Sequence, residues 1–180
     1  MKNFRKLLLS PVGRINRLPF IIGVFALTTL YIAQHAIYPI LGTGLTAFFI
    51  PMVFFFLNLH IVFCLSGKRL HDLGRTTWPL FGMFALLFMA MMIVGLKFGM
   101  LQYFESVAEL MNDPILQQDT EAMRAAVQPL EEAYQQNMKA NMPKISAVLA
   151  ITPLAFTIWL ATTPGQKGDN RYGAPSAGNK

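Results

Sequence analysis

The sequence predicts an all-α membrane protein, a four-transmembrane-helix bundle with a short extracytoplasmic amphipathic helical hairpin. Three observations lead to this fold class: four long apolar runs, a low content of charged residues, and an uneven distribution of those charges. Only 13% of the 180 residues are charged, whereas soluble domains carry roughly 25%. A soluble fold would therefore lack the charge to cover its surface. Residues 1–180 are predicted to form a single membrane domain.

Four runs are long enough to cross a bilayer core of about 30 Å, which needs roughly 20 helical residues. They cover about 18–38, 40–65, 79–101 and 145–163, and Lys97 is the one charged residue within them. Each run is apolar on all sides, as expected of a helix that is surrounded by lipid. The first run is too long for a signal peptide and no small-residue cleavage site follows it, so it is predicted to be a retained anchor.

The charges between these runs predict the orientation of the chain. The segment before residue 18, the 66–78 loop and the 164–180 tail together hold eleven Lys or Arg and two Asp. The 102–144 segment holds three basic and seven acidic residues. Because basic segments mark the cytoplasmic side, both termini are predicted to be cytoplasmic. The same distribution argues against nucleic acid as a partner, because the positive residues border a membrane and would be attracted to anionic lipid headgroups.

The 102–144 segment is predicted to be helical and extracytoplasmic, with a break and a new helix start at Asp113-Pro114. It contains two apolar stripes at helical spacing, and such stripes usually pack on each other. The alternative is a site for a partner or for the membrane surface. Pro129 is predicted to kink the second helix. The stripes are Leu101, Phe104, Val107, Ala108 and Met111, then Met123, Val127, Leu130, Tyr134 and Met138.

Three short motifs carry a family resemblance. Residues 13–20 read GRINRLPF, residues 69–75 read RLHDLGR with Trp78 following, and residues 164–173 read PGQKGDNRYG. In this order they resemble the domain of unknown function family 805, a family of small bacterial inner-membrane proteins. The 102–144 segment departs from that family by being longer and more acidic than usual. The resemblance implies a multi-pass protein of the bacterial inner membrane, and it brings no activity.

The predicted topology places all three motifs on the cytoplasmic face, where their side chains could converge. A structural interpretation is that Asp72 pairs with Arg69 or Arg75, each three residues away, as charges on one helix turn do. The functional interpretation is an anion site, since guanidinium groups suit phosphate and carboxylate. The candidate structural or anion-binding cluster is Arg14, Arg17, Arg69, His71, Asp72, Arg75, Asn170, Arg171 and Tyr172.

The sequence predicts no catalytic residue, metal site or cofactor. His71-Asp72 and the pair His60 and Cys64 lack the companion ligands that a metal site needs. The sequence contains no nucleophile elbow, P-loop, HExxH or CxxC motif, and Cys64 is the only cysteine. These absences argue against an enzyme.

The predicted function is that of a non-enzymatic accessory, scaffold or regulatory factor whose basic cytoplasmic face contacts anionic lipid or an acidic partner. The alternative is a small transporter or channel subunit that acts as an oligomer, and a lipid-modifying enzyme ranks third. The lack of acidic residues within the spans counts against a proton-relay transporter. A homo-oligomer and a membrane-protein partner both stay open.

Overall fold

The computed structural model describes residues 2–42 and 44–174, so positions 175–180 of the predicted tail, Lys180 among them, lie outside the described residues. The described chain is helical, which confirms the all-α class, and it contains no strand beyond one isolated bridge in the tail. Short 3₁₀ turns cover Tyr38–Leu41 and Leu116–Gln118. The helices are α1 (Lys2–Leu9), α2 (Arg17–Ile37), α3 (Leu45–Asp72), α4 (Trp78–Lys97), α5 (Met100–Met111) and α6 (Thr120–Thr162).

Four helical segments are long and apolar enough to span a membrane, as predicted: Arg17–Leu41, Leu45–Asp72, Trp78–Lys97 and Thr120–Thr162. At most 17% of the residues in the most apolar window of each are buried inside the protein. Such exposure of apolar surface is untenable in water and is what a lipid-covered helix needs. The described chain forms two compact units, one with the residues up to Gly82 and from Phe156 onward, the other Met83–Ala155.

In the first unit, α2 and α3 approach each other closely. Gly23 is buried, and a Cβ at this position would come within 2.5 Å of a Leu65 methyl group, so a larger residue would require the Leu65 side chain to move. Deeper in the same pair of helices, Asn58 donates to Gln34 Oε1 over 2.7 Å, and the Gln34 amide faces Asn58 Oδ1 at 3.4 Å. These two polar side chains satisfy each other within the candidate spans.

The core of the first unit surrounds the last two turns of α3, where helix was not predicted. The sequence places residues 66–78 in a loop, yet α3 continues through Asp72. Ser66, Lys68, Arg69 and Asp72 are all buried there. The apolar run does end at residue 65, but the helix does not, because the polar side chains that follow find partners inside the protein.

In the second unit, α4 ends at Lys97 and α5 begins at Met100, so the predicted span to residue 101 is interrupted. Gly99 has φ 98°, a left-handed conformation that favours glycine and lets the chain turn. The predicted break at Asp113-Pro114 lies within the stretch between α5 and α6. However, the new helix is capped by Asp119, whose Oδ1 accepts from the main-chain N–H groups of Glu121 and Ala122.

The α6 helix joins the second predicted stripe to the fourth predicted span without interruption. It passes through Pro129, Pro143 and Pro153, so Pro129 does not end the helix. Every predicted stripe residue of α6 is half-buried. That outcome agrees with the predicted apolar face of this helix.

The stripe predicted for α5 is wrong in part. Leu101, Phe104 and Met111 are exposed, and the half-buried face instead contains Tyr103, Ser106, Val107 and Leu110. Tyr103 stacks on Tyr134 of α6 with ring centroids 5.2 Å apart, and Asn137 donates to the Phe98 carbonyl over 2.9 Å. The contact is therefore aromatic and polar. For this reason the apolar periodicity of the sequence predicted the wrong contact face of α5.

Candidate functional site

The site is built on the end of α3, where the chain turns sharply. The N–H of Arg75 donates to the Leu70 carbonyl over 2.9 Å, and that of Gly74 to the His71 carbonyl over 3.0 Å. This pair of bonds is a Schellman motif, which needs a left-handed residue after the helix, and Gly74 supplies it with φ 70°. A Cβ at Gly74 would also collide with the Gln166 side chain. The tail therefore packs directly on this turn.

Asp72 lies at the centre of the site and pairs with two arginines. Arg69 Nη1 contacts Asp72 Oδ2 at 2.5 Å, and Arg14 Nε contacts Asp72 Oδ1 at 3.3 Å. The side chains of Arg69 and Asp72 are fully buried, and that of Arg14 is 1% exposed. Burial of three charges is costly unless each is paired and hydrogen-bonded. The network must therefore satisfy its remaining donors inside the protein.

Arg69 meets this requirement by capping the end of α6. Its Nε donates to the Leu160 carbonyl over 2.8 Å, and its Nη2 donates to the Thr163 carbonyl. The last carbonyls of a helix lack intrahelical partners and carry partial negative charge, so a guanidinium is well matched to them. A further donor on Nη1 reaches the Ile15 carbonyl at 3.3 Å. Arg69 thus joins the first motif, α3 and α6.

Arg14 holds the tail. Its Nη1 donates to the Gly168 and Gly173 carbonyls over 2.8 and 3.0 Å, and its Nη2 donates to the Gln166 carbonyl over 2.7 Å. The Gln166 N–H in turn donates to the Asp72 carbonyl over 2.9 Å. The tail from residue 164 to 174 is consequently wrapped around one guanidinium group.

The third motif closes on the second through an aromatic stack. The Tyr172 ring lies on the His71 ring with centroids 3.8 Å apart and planes 11° apart. The Arg171 guanidinium lies 4.8 Å from the Tyr172 ring centre, on which a cation is favoured. Asn170 donates to the His71 carbonyl over 2.9 Å, and its Oδ1 accepts from the Tyr172 N–H. The His71 Nδ1 lies 3.3 Å from the Gly13 carbonyl oxygen.

Three of the predicted arginines differ from the buried pair of Arg14 and Arg69. Arg75 and Arg17 are exposed, and the Arg75 guanidinium lies 5.5 Å from the centre of the Trp159 ring. Arg75 lies beyond the last turn of α3, so it is Arg14, from the first motif, that joins Arg69 on Asp72. Arg171 is also exposed, as is Lys167 in the tail. The predicted cluster therefore divides into a buried network and three exposed arginines. We define the exposed basic rim as these three, Arg17, Arg75 and Arg171, together with Lys167 of the tail, which was not in the predicted cluster.

Sequence reasoning missed a third buried cation. Lys68 is 3% exposed, and its Nζ donates to the Lys6 carbonyl over 2.8 Å and to the Leu7 carbonyl. These are carbonyls at the end of α1, and His60 Nε2 lies 3.2 Å from another carbonyl of this helix end, that of Leu9. A cation at a helix C-terminus is favourable for the reasons that apply to Arg69. The signal available in the sequence was the spacing of His60, Cys64 and Lys68 on one face of α3.

The geometry decides which chemistry the buried network can perform. Four donor contacts of Arg14 and four of Arg69 are directed at internal oxygens, so neither guanidinium is open to an external anion. Within the described residues, no three His, Cys, Asp or Glu side chains are grouped to hold a metal ion. The buried network, which we call the clamp, thus joins the three motifs internally, whereas the cations of the exposed rim are accessible.

Comparison with known proteins places this chain in a family. No curated protein and no solved structure matches it. A family model described as "Protein of unknown function (DUF805)" matches residues 8–174, a range that includes all three motifs. This match confirms the resemblance inferred from the motifs: the chain belongs to the DUF805 family.

Proposed function

We propose that this protein is a non-enzymatic accessory, scaffold or regulatory factor of a bacterial inner membrane, whose basic cytoplasmic face contacts anionic lipid headgroups. The observation that carries the proposal is the division of the site into a closed clamp and an open rim. The clamp consumes the donors of Arg14 and Arg69 internally, whereas Arg17, Arg75 and Arg171 are exposed. A rigid surface that presents several cations is suited to anions.

The position of the rim along the chain favours lipid as the source of the anion. Arg17 is the first residue of α2, and Arg75 lies just before α4, so both adjoin candidate spans. Trp78, the first residue of α4, is 75% exposed, and tryptophan is enriched at the headgroup level of membranes. Each basic residue near an anionic surface contributes about 1 kcal/mol to the attraction. An acidic segment of a partner protein could use the same cations.

The proposed orientation places both termini in the cytoplasm and the helical 102–144 segment, as an amphipathic hairpin, on the opposite side. It rests on the excess of basic residues in the three motif-bearing segments. Reporter fusions after Ala174 and within residues 113–118 are expected to give cytoplasmic and extracytoplasmic signals respectively. Identical signals from both positions would refute this orientation.

Lipid contact is tested by extracting the full chain from membranes with its surrounding lipid and measuring the anionic fraction by mass spectrometry. Replacement of Arg75, Lys167 and Arg171 by Gln is expected to lower the enrichment of anionic lipid around the protein. The matched control replaces Arg124, Lys139 and Lys144 by Gln, which removes the same charge from exposed positions of α6. Wild-type protein without anionic enrichment would refute the lipid proposal and leave an acidic partner as the anion.

The alternative of a transporter or channel subunit has weaker support. A conducting path needs polar groups that can exchange partners with a passing ion or substrate. The polar pair in the candidate spans, Gln34 and Asn58, is instead closed on itself. Neither a transporter nor a lipid-modifying enzyme is favoured by a specific observation on the described residues.

A further inference from the structure

An apolar groove runs between α2 and the final turns of α6 within the first unit. Its volume is about 330 Å³, a size within the usual range of ligand sites. One wall is formed by residues of α2, and the other by residues of α6. They are Phe20, Ile21, Val24 and Thr28 on α2, and Ile158 and Ala161 on α6. The Thr28 hydroxyl donates to the Val24 carbonyl over 3.0 Å, so this polar group is already satisfied. The groove therefore offers an apolar guest a suitable surface.

A single cation lies on the same face of α2 as this wall. The cation and three wall residues are spaced four, three and four residues apart, which aligns them along one side of a helix. They are Arg17, Ile21, Val24 and Thr28. Arg17 is exposed and occupies the first position of α2, one turn before the groove begins. Among the described residues, its side chain makes no hydrogen bond or ion pair. Its guanidinium is thus available to an anion at the mouth of the groove.

The length of the groove distinguishes an acyl chain from a partner helix. Along the groove, from Phe20 to Thr28, the helix rises about 12 Å, at roughly 1.5 Å per residue. That is less than half of the roughly 30 Å hydrocarbon core, so the groove lies within one leaflet. A transmembrane helix would need a groove along the whole span. A phospholipid in the leaflet that adjoins Arg17 needs only this length.

We propose that the groove holds one acyl chain of an anionic phospholipid, with the lipid phosphate on Arg17. The guanidinium offers the paired N–H geometry that phosphate oxygens favour, and the apolar walls exclude water from the chain. This inference deepens the proposed function and rests on it, because it assumes that Arg17 lies in the headgroup layer. It adds a bound lipid of defined position to the diffuse attraction of the rim.

A matched pair of variants tests the groove. Thr28 lines it, whereas Thr29 does not, yet both are exposed and both hydroxyls donate to the carbonyl four residues earlier. The full chain is equilibrated with equal amounts of phosphatidylglycerol and phosphatidylcholine, and retained lipid is counted by native mass spectrometry. Wild type and Thr29→Phe are expected to retain one phosphatidylglycerol. Thr28→Phe is expected to lower that occupancy about tenfold, because its ring fills the groove.

Arg17→Gln tests the headgroup separately. Loss of a charge-assisted contact to phosphate is expected to weaken phosphatidylglycerol retention about tenfold, with little change for phosphatidylcholine. Ala161→Phe fills the groove from the opposite wall and provides the same test if Thr28→Phe fails to fold.

The outcomes separate this inference from the proposed function. Equal retention by wild type and both groove-filling variants overturns the groove assignment, and so does equal loss in Thr29→Phe. Retention of both lipids alike by wild type overturns the role of Arg17. Enrichment of bulk anionic lipid around the rim would persist in each of these cases if the proposed function is correct. The rim variant Arg75→Gln with Arg171→Gln is expected to keep the single tightly held lipid.

Discussion

The end of α3 and the α5–α6 segment are both helical, but different kinds of contact stabilise them. Around Asp72, buried ion pairs and guanidinium bonds to main-chain carbonyls connect segments as far apart as Arg14 and Gly173. Between α5 and α6, the contacts are a stack of Tyr103 on Tyr134 and a bond from Asn137 to Phe98. The first region concentrates its stability in a few residues, whereas the second spreads it over a partly exposed interface.

This difference predicts which single substitutions change the free energy of unfolding most. A buried charge that loses its partner retains its full desolvation cost, so the effect is large. A half-buried stacking contact is replaced in part by water, so the effect is small. Three experiments test this difference between the two regions, and they are given in order of decreasing expected effect.

Asp72→Ala is expected to lower the free energy of unfolding by about 3–5 kcal/mol, because two buried guanidinium groups lose their counter-ion. Thermal unfolding of the protein in detergent measures this loss. Asp169→Ala is the control, since it removes an exposed carboxylate from the tail and should change stability by less than about 0.5 kcal/mol. Equal stability of the two variants would show that the network is not a clamp.

Gly74→Ala is expected to cost about 1–2 kcal/mol from the left-handed backbone alone, with a further cost because the new Cβ would displace Gln166. The matched control is Gly82→Ala, a helical position with open space around its Cβ, where the substitution should be neutral or mildly stabilising. The midpoint of thermal unfolding compares the two. If Gly74→Ala is as stable as Gly82→Ala, the turn after α3 does not hold residue 74 in the left-handed conformation.

The smallest effect is expected in the second unit. A double-mutant cycle of Tyr103→Ala and Tyr134→Ala should give a coupling of about 0.5–1.5 kcal/mol, the usual range for stacked aromatic pairs. The same cycle with Phe104→Ala in place of Tyr103→Ala should give a coupling near zero, because Phe104 is exposed. A coupling energy larger for Phe104 with Tyr134 than for Tyr103 with Tyr134 would show that α5 contacts α6 through the stripe predicted from the sequence.

Hydropathy and length predicted the number of apolar helices, because a span is a local property of about 20 consecutive residues. The break near Asp113-Pro114 was equally local. The wrong face of α5 was selected because periodicity identifies the most apolar side of a helix, whereas the contact with α6 is aromatic and polar. The half-buried face of α5 contains Tyr103 and Ser106, which are aromatic or polar and were therefore not part of the predicted stripe.

The amino-acid sequence alone was sufficient to predict the four apolar helices, the family motifs and the cations that the motifs contain. Folding was needed to show that Asp72 pairs with Arg14, 58 residues away, and that Arg69 and Lys68 cap the ends of α6 and α1. The physical reason is that helix formation depends on neighbours within a turn or two, whereas a buried charge depends on which distant carbonyls surround it. The sequence shows the charge, and only the packed chain shows its acceptors.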